Sequence, residues 1–180
     1  MANIPGSHVE LVITAPEPHG KQYVYATRCR TTLGVLVELF LRAKYHVIMA
    51  APFVQPLSEL ADGVLADVLQ GALRRGVKVD VLSTGAGLMA FDRTQLLPRA
   101  QGQLRFYRPA ANVVYDQRLG SHAKFCVADG ESAYVGSANL TSPGLTDQIE
   151  LGLLVNGDIA RQISDVWDYL VGAGVFVLAD

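Results

Sequence analysis

Apolar and polar residues alternate along VELVIT, Val9 to Thr14, the period of a strand with one face buried. The pattern breaks at APEPHG, where two prolines and a glycine interrupt any regular element. From Thr31 to Lys44 the period changes. Leu33, Leu36, Val37, Phe40 and Leu41 recur at helical spacing, and Thr31 or Thr32 can cap the start. HVIMAAPFV is apolar without a break, as expected of a strand covered on both faces. A second helix is expected to open at Pro56 and Ser58, run to Arg75 and stop at Gly76. VKVDVLS alternates as a strand, Asp92 to Arg99 reads as a short helix, and LRFYR reads as a further strand before a loop with Pro109.

The second half has a different grammar. AKFCVAD and SAYVGS read as two strands joined by Asp-Gly, a hairpin signal. IELGLLV follows as a strand. Asp158 to Leu170 forms an amphipathic helix with Ile159, Ile163, Val166, Trp167 and Leu170 on one side, and VFVLAD adds a short strand. Strands alternating with helices predict an α/β fold with helices on both faces of one sheet, and the hairpin makes that sheet mixed. With 180 residues and neither repeat nor linker, the expectation is a single domain spanning residues 1–180.

Composition narrows the class. Half the residues are hydrophobic (50%) and 18% are charged, which indicates a globular chain. Glu38, Arg42, Lys44 and Pro52 interrupt the longest apolar stretches, so no transmembrane helix or membrane anchor is expected. The start, MANIPGSHVELVIT, lacks a basic region followed by an apolar one, and Cys29 and Cys126 are too few for a disulfide framework or a zinc site. A reduced, cytoplasmic location is the expectation. A net charge of −2 argues against a wholly basic nucleic-acid binder. Its distribution is uneven. Arg93, Arg99, Arg105, Arg108, Arg118 and Lys124 face only Asp116 in that stretch, which points to an anionic partner.

The densest chemistry is SHAKFCVADGESAYVGSAN, Ser121 to Asn139. At a period of two, His122 and Lys124 share a face, and Ser137 and Asn139 share one at the end of the next strand. A lysine, a hydroxyl and an amide suit the oxygens of a phosphate, and a neutral imidazole beside them is a nucleophile or a base. By contrast, His46 reads as a structural histidine and Cys126 as a packed thiol. TGAGL (Thr84–Leu88) lacks the lysine of a phosphate loop and reads as a turn after a strand.

His122-x-Lys124, then Asp129, then Gly136-Ser137-x-Asn139 resembles the HKD signature of the phospholipase D superfamily, and Glu150 stands where its compact bacterial nucleases carry a further acid. More narrowly, RTTLGVLVELFLRAK and SANLTSPGLTDQIELGLLV resemble the phospholipase D-like component of anti-phage systems of the DISARM type. The resemblance implies a single phospholipase D-like domain and a phosphodiesterase, with nucleic acid (DNA or RNA) favoured as substrate. It assigns His122 as the nucleophile that becomes a phosphohistidine. Lys124, Asn139 and Ser137 would hold the phosphate oxygens, Glu150 would hydrogen-bond an imidazole, and Asp129 would play a supporting, ion-paired part. No metal and no cofactor are implied.

One departure matters. Superfamily enzymes use two HKD motifs and this chain has one, so two chains are expected to meet across a two-fold axis as a homodimer. Arg105, Arg108 and Arg118 are the candidates for a nucleic-acid-binding rim. The alternative reading is a phospholipase D-like subunit that binds nucleic acid or other subunits of a defence system with little or no turnover.

Overall fold

The structure is a computed structural model and describes residues 8–55, 63–89, 103–113 and 120–179. Its strands are β1 (Val9–Thr14), β2 (Arg30–Thr31), β3 (His46–Ala50), β4 (Lys78–Leu82), β5 (Leu104–Pro109), β6 (Phe125–Ala128), β7 (Ser132–Gly136), β8 (Glu150–Asn156) and β9 (Phe176–Leu178). They form one mixed sheet in the order β2-β1-β8-β7-β6-β3-β4-β5-β9. The helices are α1 (Gly20–Thr27), α2 (Thr32–Arg42), α3 (Val64–Arg74), α4 (Gly85–Met89) and α5 (Asp158–Gly172). The α/β class and the mixed sheet expected from the pattern are both present.

Helices α2 and α3 cover one face, where Leu36, Phe40, Leu69 and Leu73 pack with Val47, Val79, Val81 and Phe106. Helix α5 covers part of the other, over Ile48, Ala50, Leu82 and Tyr107. Its Trp167 meets the Tyr107 ring edge-on at 5.0 Å. Thr31 caps α2, its hydroxyl accepting from the Gly34 N–H at 3.2 Å. The left-handed Gly76 (φ 88°) lies just past α3, as a helix stop requires.

Several expectations change. The opening of α3 at Pro56 and Ser58 and the helix at Asp92–Arg99 fall outside the described residues. Val166 is exposed, not packed with Trp167, because one residue along a helix turns about 100° away from the buried stripe. TGAGL contributes a short helix, α4, and not a turn. Helix α1 follows the break at APEPHG with no clear apolar stripe to announce it.

The largest change is on β4. Asp80 sits in an alternating pattern that suggests a solvent-facing position, yet its side chain is fully buried. Arg105 grips it with both arms, Nε to Oδ1 at 2.7 Å and Nη2 to Oδ2 at 2.6 Å, and His46 Nε2 lies 2.9 Å from Oδ2. Burial alone pushes this carboxyl up, but the hydrogen bonds from His46 and Arg105 outweigh it and hold the group below the ordinary carboxylate range. His46 is therefore structural, as its sequence setting suggests.

The Asp-Gly hairpin forms as expected. Asp129 (φ 55°) and Gly130 (φ 68°) are both left-handed, the conformation a type I′ turn needs. The Asp129 carboxylate accepts hydrogen bonds from the backbone N–H groups of Lys44 (2.8 Å), Tyr45 (2.9 Å) and His46 (2.8 Å). It stitches the hairpin to the start of β3.

Strand register fixes where the motif falls. Ala50 pairs with Phe125, Phe125 with Val135, Gly136 with Gly152, and Glu150 with Thr14. The C-terminal ends of β1, β3 and β7 and the N-terminal ends of β6 and β8 thus share one end of the sheet.

Candidate functional site

Lys124 immediately precedes β6 and points to the α2 side of the sheet, in step with buried Cys126 and Ala128. It is 8% exposed, which is rare for a lysine and selects an ammonium with something to do. Burial pushes its pKa down, and the negative charge of Glu150 partly restores it.

His122 is exposed above it. Lys124 Nζ stands 3.1 Å from Nδ1 and 3.5 Å from Nε2 of His122, and donates to the His122 carbonyl at 3.0 Å. A charged ammonium can only donate, so it bonds the nearer ring nitrogen only in a tautomer that leaves that nitrogen without a proton. Phe53, in the loop after β3, meets the His122 ring edge-on at 6.3 Å.

Ser137 follows β7 and its hydroxyl donates to the Glu150 carboxylate, while the Leu151 N–H donates back to Ser137 Oγ at 3.1 Å. Within the chain Glu150 is therefore bonded to Ser137. Asn139 lies two residues further on. Its Oδ1 is buried with no hydrogen-bond partner. The buried Tyr134 hydroxyl, by contrast, has Thr32 and the backbone of Ala138 as neighbours, and burial pushes its pKa up. An unpaired buried polar atom is costly and uncommon, and one beside a buried ammonium marks a candidate binding position.

The loop stands on two glycines. A Cβ at Gly136 or Gly152, paired across β7 and β8, would collide with the Tyr134 ring. Gly136 is thus required by close packing beneath the loop. Cys126 is fully buried, and desolvation lifts its thiol to about 12, so it is packing and not chemistry.

An ammonium, an imidazole, a hydroxyl and an amide gathered at one end of a sheet can bind an oxyanion and attack it. Residues 36–170 match the family described as "Cardiolipin synthase, PLD-like domain". The chain belongs to the phospholipase D-like family. It is 31% identical over 176 residues to the "DISARM protein DrmC" of Bacillus paralicheniformis, an alignment covering 94% of this chain and 66% of that one, so it spans just under two thirds of that relative's length. In fold it is similar to Nuc of Salmonella typhimurium (TM-score 0.64, 16% identity, covering 96% of this chain and 98% of that one). NucT of Helicobacter pylori is similarly close (TM-score 0.66, 15% identity, covering 94% and 98%). At these identities the structural likeness is one of fold.

The phospholipase D-like signature thus divides in space. His122, Lys124, Ser137, Asn139 and Glu150 gather at one end of the sheet. Asp129 does not join them. It lies beyond the other end of β6, about 17 Å of extended chain from Lys124, engaged with backbone N–H groups. Arg105 is also elsewhere, taken by Asp80 on the α5 side of the sheet, which corrects its placement on the rim. Arg108 is half-buried near the C-terminal end of β5, at the site's end but three strands from β6. Arg118 lies outside the described residues. Sequence reasoning missed Phe53 and Tyr134. The only available signals were the position of Phe53 just past a buried strand and the pairing of Tyr134 with flanking small residues.

Among the described residues no helix is long and apolar enough to cross a membrane.

Proposed function

We propose that this phospholipase D-like chain is a metal-independent phosphodiesterase, a nuclease, that works as a homodimer through a phosphohistidine. The observation that carries the reading is the buried Lys124 ammonium set against the His122 ring, 3.1 Å from Nδ1. Among the described residues the ammonium bonds that ring and the His122 carbonyl. A phosphate oxygen is the better partner, and taking it frees the imidazole to act. Lys124 with Asn139 then stabilises charge on the non-bridging oxygens, the work a metal performs in other phosphodiesterases, and Ser137 joins them only by turning its single hydroxyl proton away from Glu150. Glu150 holds Ser137 and helps keep Lys124 charged.

The reaction needs a second histidine. The neutral His122 ring attacks phosphorus, forming a P–N bond as the P–O bond to the leaving group breaks. The His122 of a second chain, protonated, gives its proton to the leaving oxygen. Now neutral, it takes a proton from water, and the water oxygen displaces His122 from phosphorus.

The surface offers a place for that second chain. On the α5 side of the sheet, Leu11, Leu153, Val135 and Phe125 stand in one cross-strand row. Leu11, Leu153 and Val135 are more than 40% exposed, with Val9 and Leu151 open beside them. A row of bare aliphatics on a sheet is an interface more often than a surface. It runs to Leu151, next to Glu150, so a copy seated there reaches the site's end of the sheet.

By its likeness to a DISARM protein, we further place the chain in a cytoplasmic defence system, acting on nucleic acid beside other subunits. The test is an assay of the purified protein on single- and double-stranded DNA and RNA, with and without chelator. Cleavage that survives chelation supports the reading. Binding without cleavage, under all conditions, would move the protein to a scaffolding role.

A further inference from the structure

A groove of ≈ 620 Å³ opens at the same end of the sheet, between α1, the start of α2 and the π-helical turn Pro143–Asp147. Leu33, Val37 and Leu145 supply aliphatic walls, Tyr25 stands at its edge, and Thr14 and Thr146 contribute hydroxyl-bearing side chains. The groove adjoins the candidate site directly. Thr14 is the register partner of Glu150, on the same face of the sheet. The π-helical turn that forms one wall packs on the backbone of Asn139, where a Cβ at Gly144 would stand 3.1 Å from the Asn139 nitrogen. Three strand spacings, roughly 14 Å, separate Thr14 from the strand that follows Lys124.

Two features say what the groove is for. Tyr25 is 89% exposed, a large ring kept in water beside an apolar hollow. Thr14 is 4% exposed, and its hydroxyl has no partner. The other threonines nearby are occupied: Thr31 caps α2, and Thr146 donates to the Ser142 carbonyl at 2.8 Å. Thr14 lines the groove, and its hydroxyl could turn about χ1 to meet a ligand at no loss of an existing bond. An acyl chain would fit the walls and leave that hydroxyl orphaned. A nucleobase has two faces for Tyr25 and the aliphatic walls, and a polar edge for Thr14. Lys21, 89% exposed on the rim and only loosely paired with Glu17 at 3.8 Å, is free to meet a backbone phosphate.

We propose that this groove takes an unstacked base of single-stranded nucleic acid, a short run of nucleotides from the phosphodiester at His122. The proposal rests on the nuclease reading and narrows its substrate to single strands. Double-stranded substrate keeps its bases stacked and paired, and would pay to fill the groove.

The test measures binding by the His122→Ala protein, so that substrate is not consumed. Fluorescence anisotropy compares a fluorescein-labelled single-stranded oligonucleotide with an abasic one of the same length and charge. The base-bearing strand should bind about tenfold more tightly. Adding Tyr25→Ala, at an exposed position that the fold does not need, should shrink that advantage, and Thr14→Val, which keeps the side chain's shape, should reduce it by a smaller factor. Equal binding of the two oligonucleotides overturns the proposal. So does binding to cardiolipin-containing vesicles that Tyr25→Ala abolishes, which would give the groove to an acyl chain. Wild-type hydrolysis of bis(p-nitrophenyl) phosphate separates the failures. If that hydrolysis is present while base-bearing and abasic strands bind alike, the groove assignment alone falls. If there is neither hydrolysis nor oligonucleotide binding, both readings fall.

Discussion

The two ends of β6 carry opposite kinds of chemistry. At its C-terminal end Asp129 is satisfied, its two oxygens receiving three backbone N–H groups within 2.9 Å. At its N-terminal end Lys124 is buried with no carboxylate in hydrogen-bond contact among the described residues, and Asn139 keeps an unpaired buried oxygen nearby. Both residues belong to one sequence signature, and the chain between them is short. The satisfied end is spent on holding β3 to the hairpin. On the function proposed above, the unsatisfied end serves a ligand. Membership of a motif therefore does not assign a residue to chemistry, whereas the state of its hydrogen bonds separates the two roles.

The sharpest way to break this comparison is at the unsatisfied end. His122→Ala should lower phosphodiesterase turnover by roughly 10⁴-fold, since it removes nucleophile and acid together. Because the ring is exposed, the thermal midpoint should stay within a degree or two. A matching loss of stability would mean that His122 serves the fold.

Next in size is Asp80, the other fully engaged acid. Asp80→Ala leaves the Arg105 guanidinium half-buried and unpaired, and should cost about 3–5 kcal/mol in urea unfolding. Acid should act in the same direction. Its pKa is lower folded than unfolded, so its contribution is complete above the ordinary value of 3.8 and disappears as pH falls through the lower folded one. A pH series of melts should show stability falling below roughly pH 4, with that part of the slope missing in Asp80→Asn.

Asp129→Ala sharpens the comparison directly. It should cost about 2 kcal/mol by stranding backbone donors and straining a left-handed position, while kcat measured on the folded fraction stays near wild type. A collapse of kcat at unchanged stability would put Asp129 back in the chemistry. The smallest expected effect is that of EDTA, which should leave the rate unchanged if Lys124 does the work of a metal.

Much of this was legible in the sequence, for identifiable reasons. Helical periodicity located α2 and α5, and Asp-Gly located the hairpin, because in each case local preference and tertiary role agree. The cluster of His122, Lys124, Ser137 and Asn139 was legible because period-two strands carry alternate residues to one face. Asp80 and Arg105 were not. A charge in an alternating strand reads as solvent-facing, and only the third dimension shows that a partner two strands' length away in sequence pays for its burial. The bond from Ser137 to Glu150 depends on side-chain geometry that spacing does not carry. Helix α1 lacked a stripe to read, and with it Tyr25 and the groove were hidden.

The central claim is that two copies of His122 complete one site. Co-expressing wild-type and His122→Ala chains in equal amounts, with the mixed assembly purified intact, tests it most directly. If a site needs both histidines, only the fully wild-type dimers work, and activity per total chain should fall to about a quarter of wild type. Half the wild-type activity, the value for chains that act alone, would contradict the account.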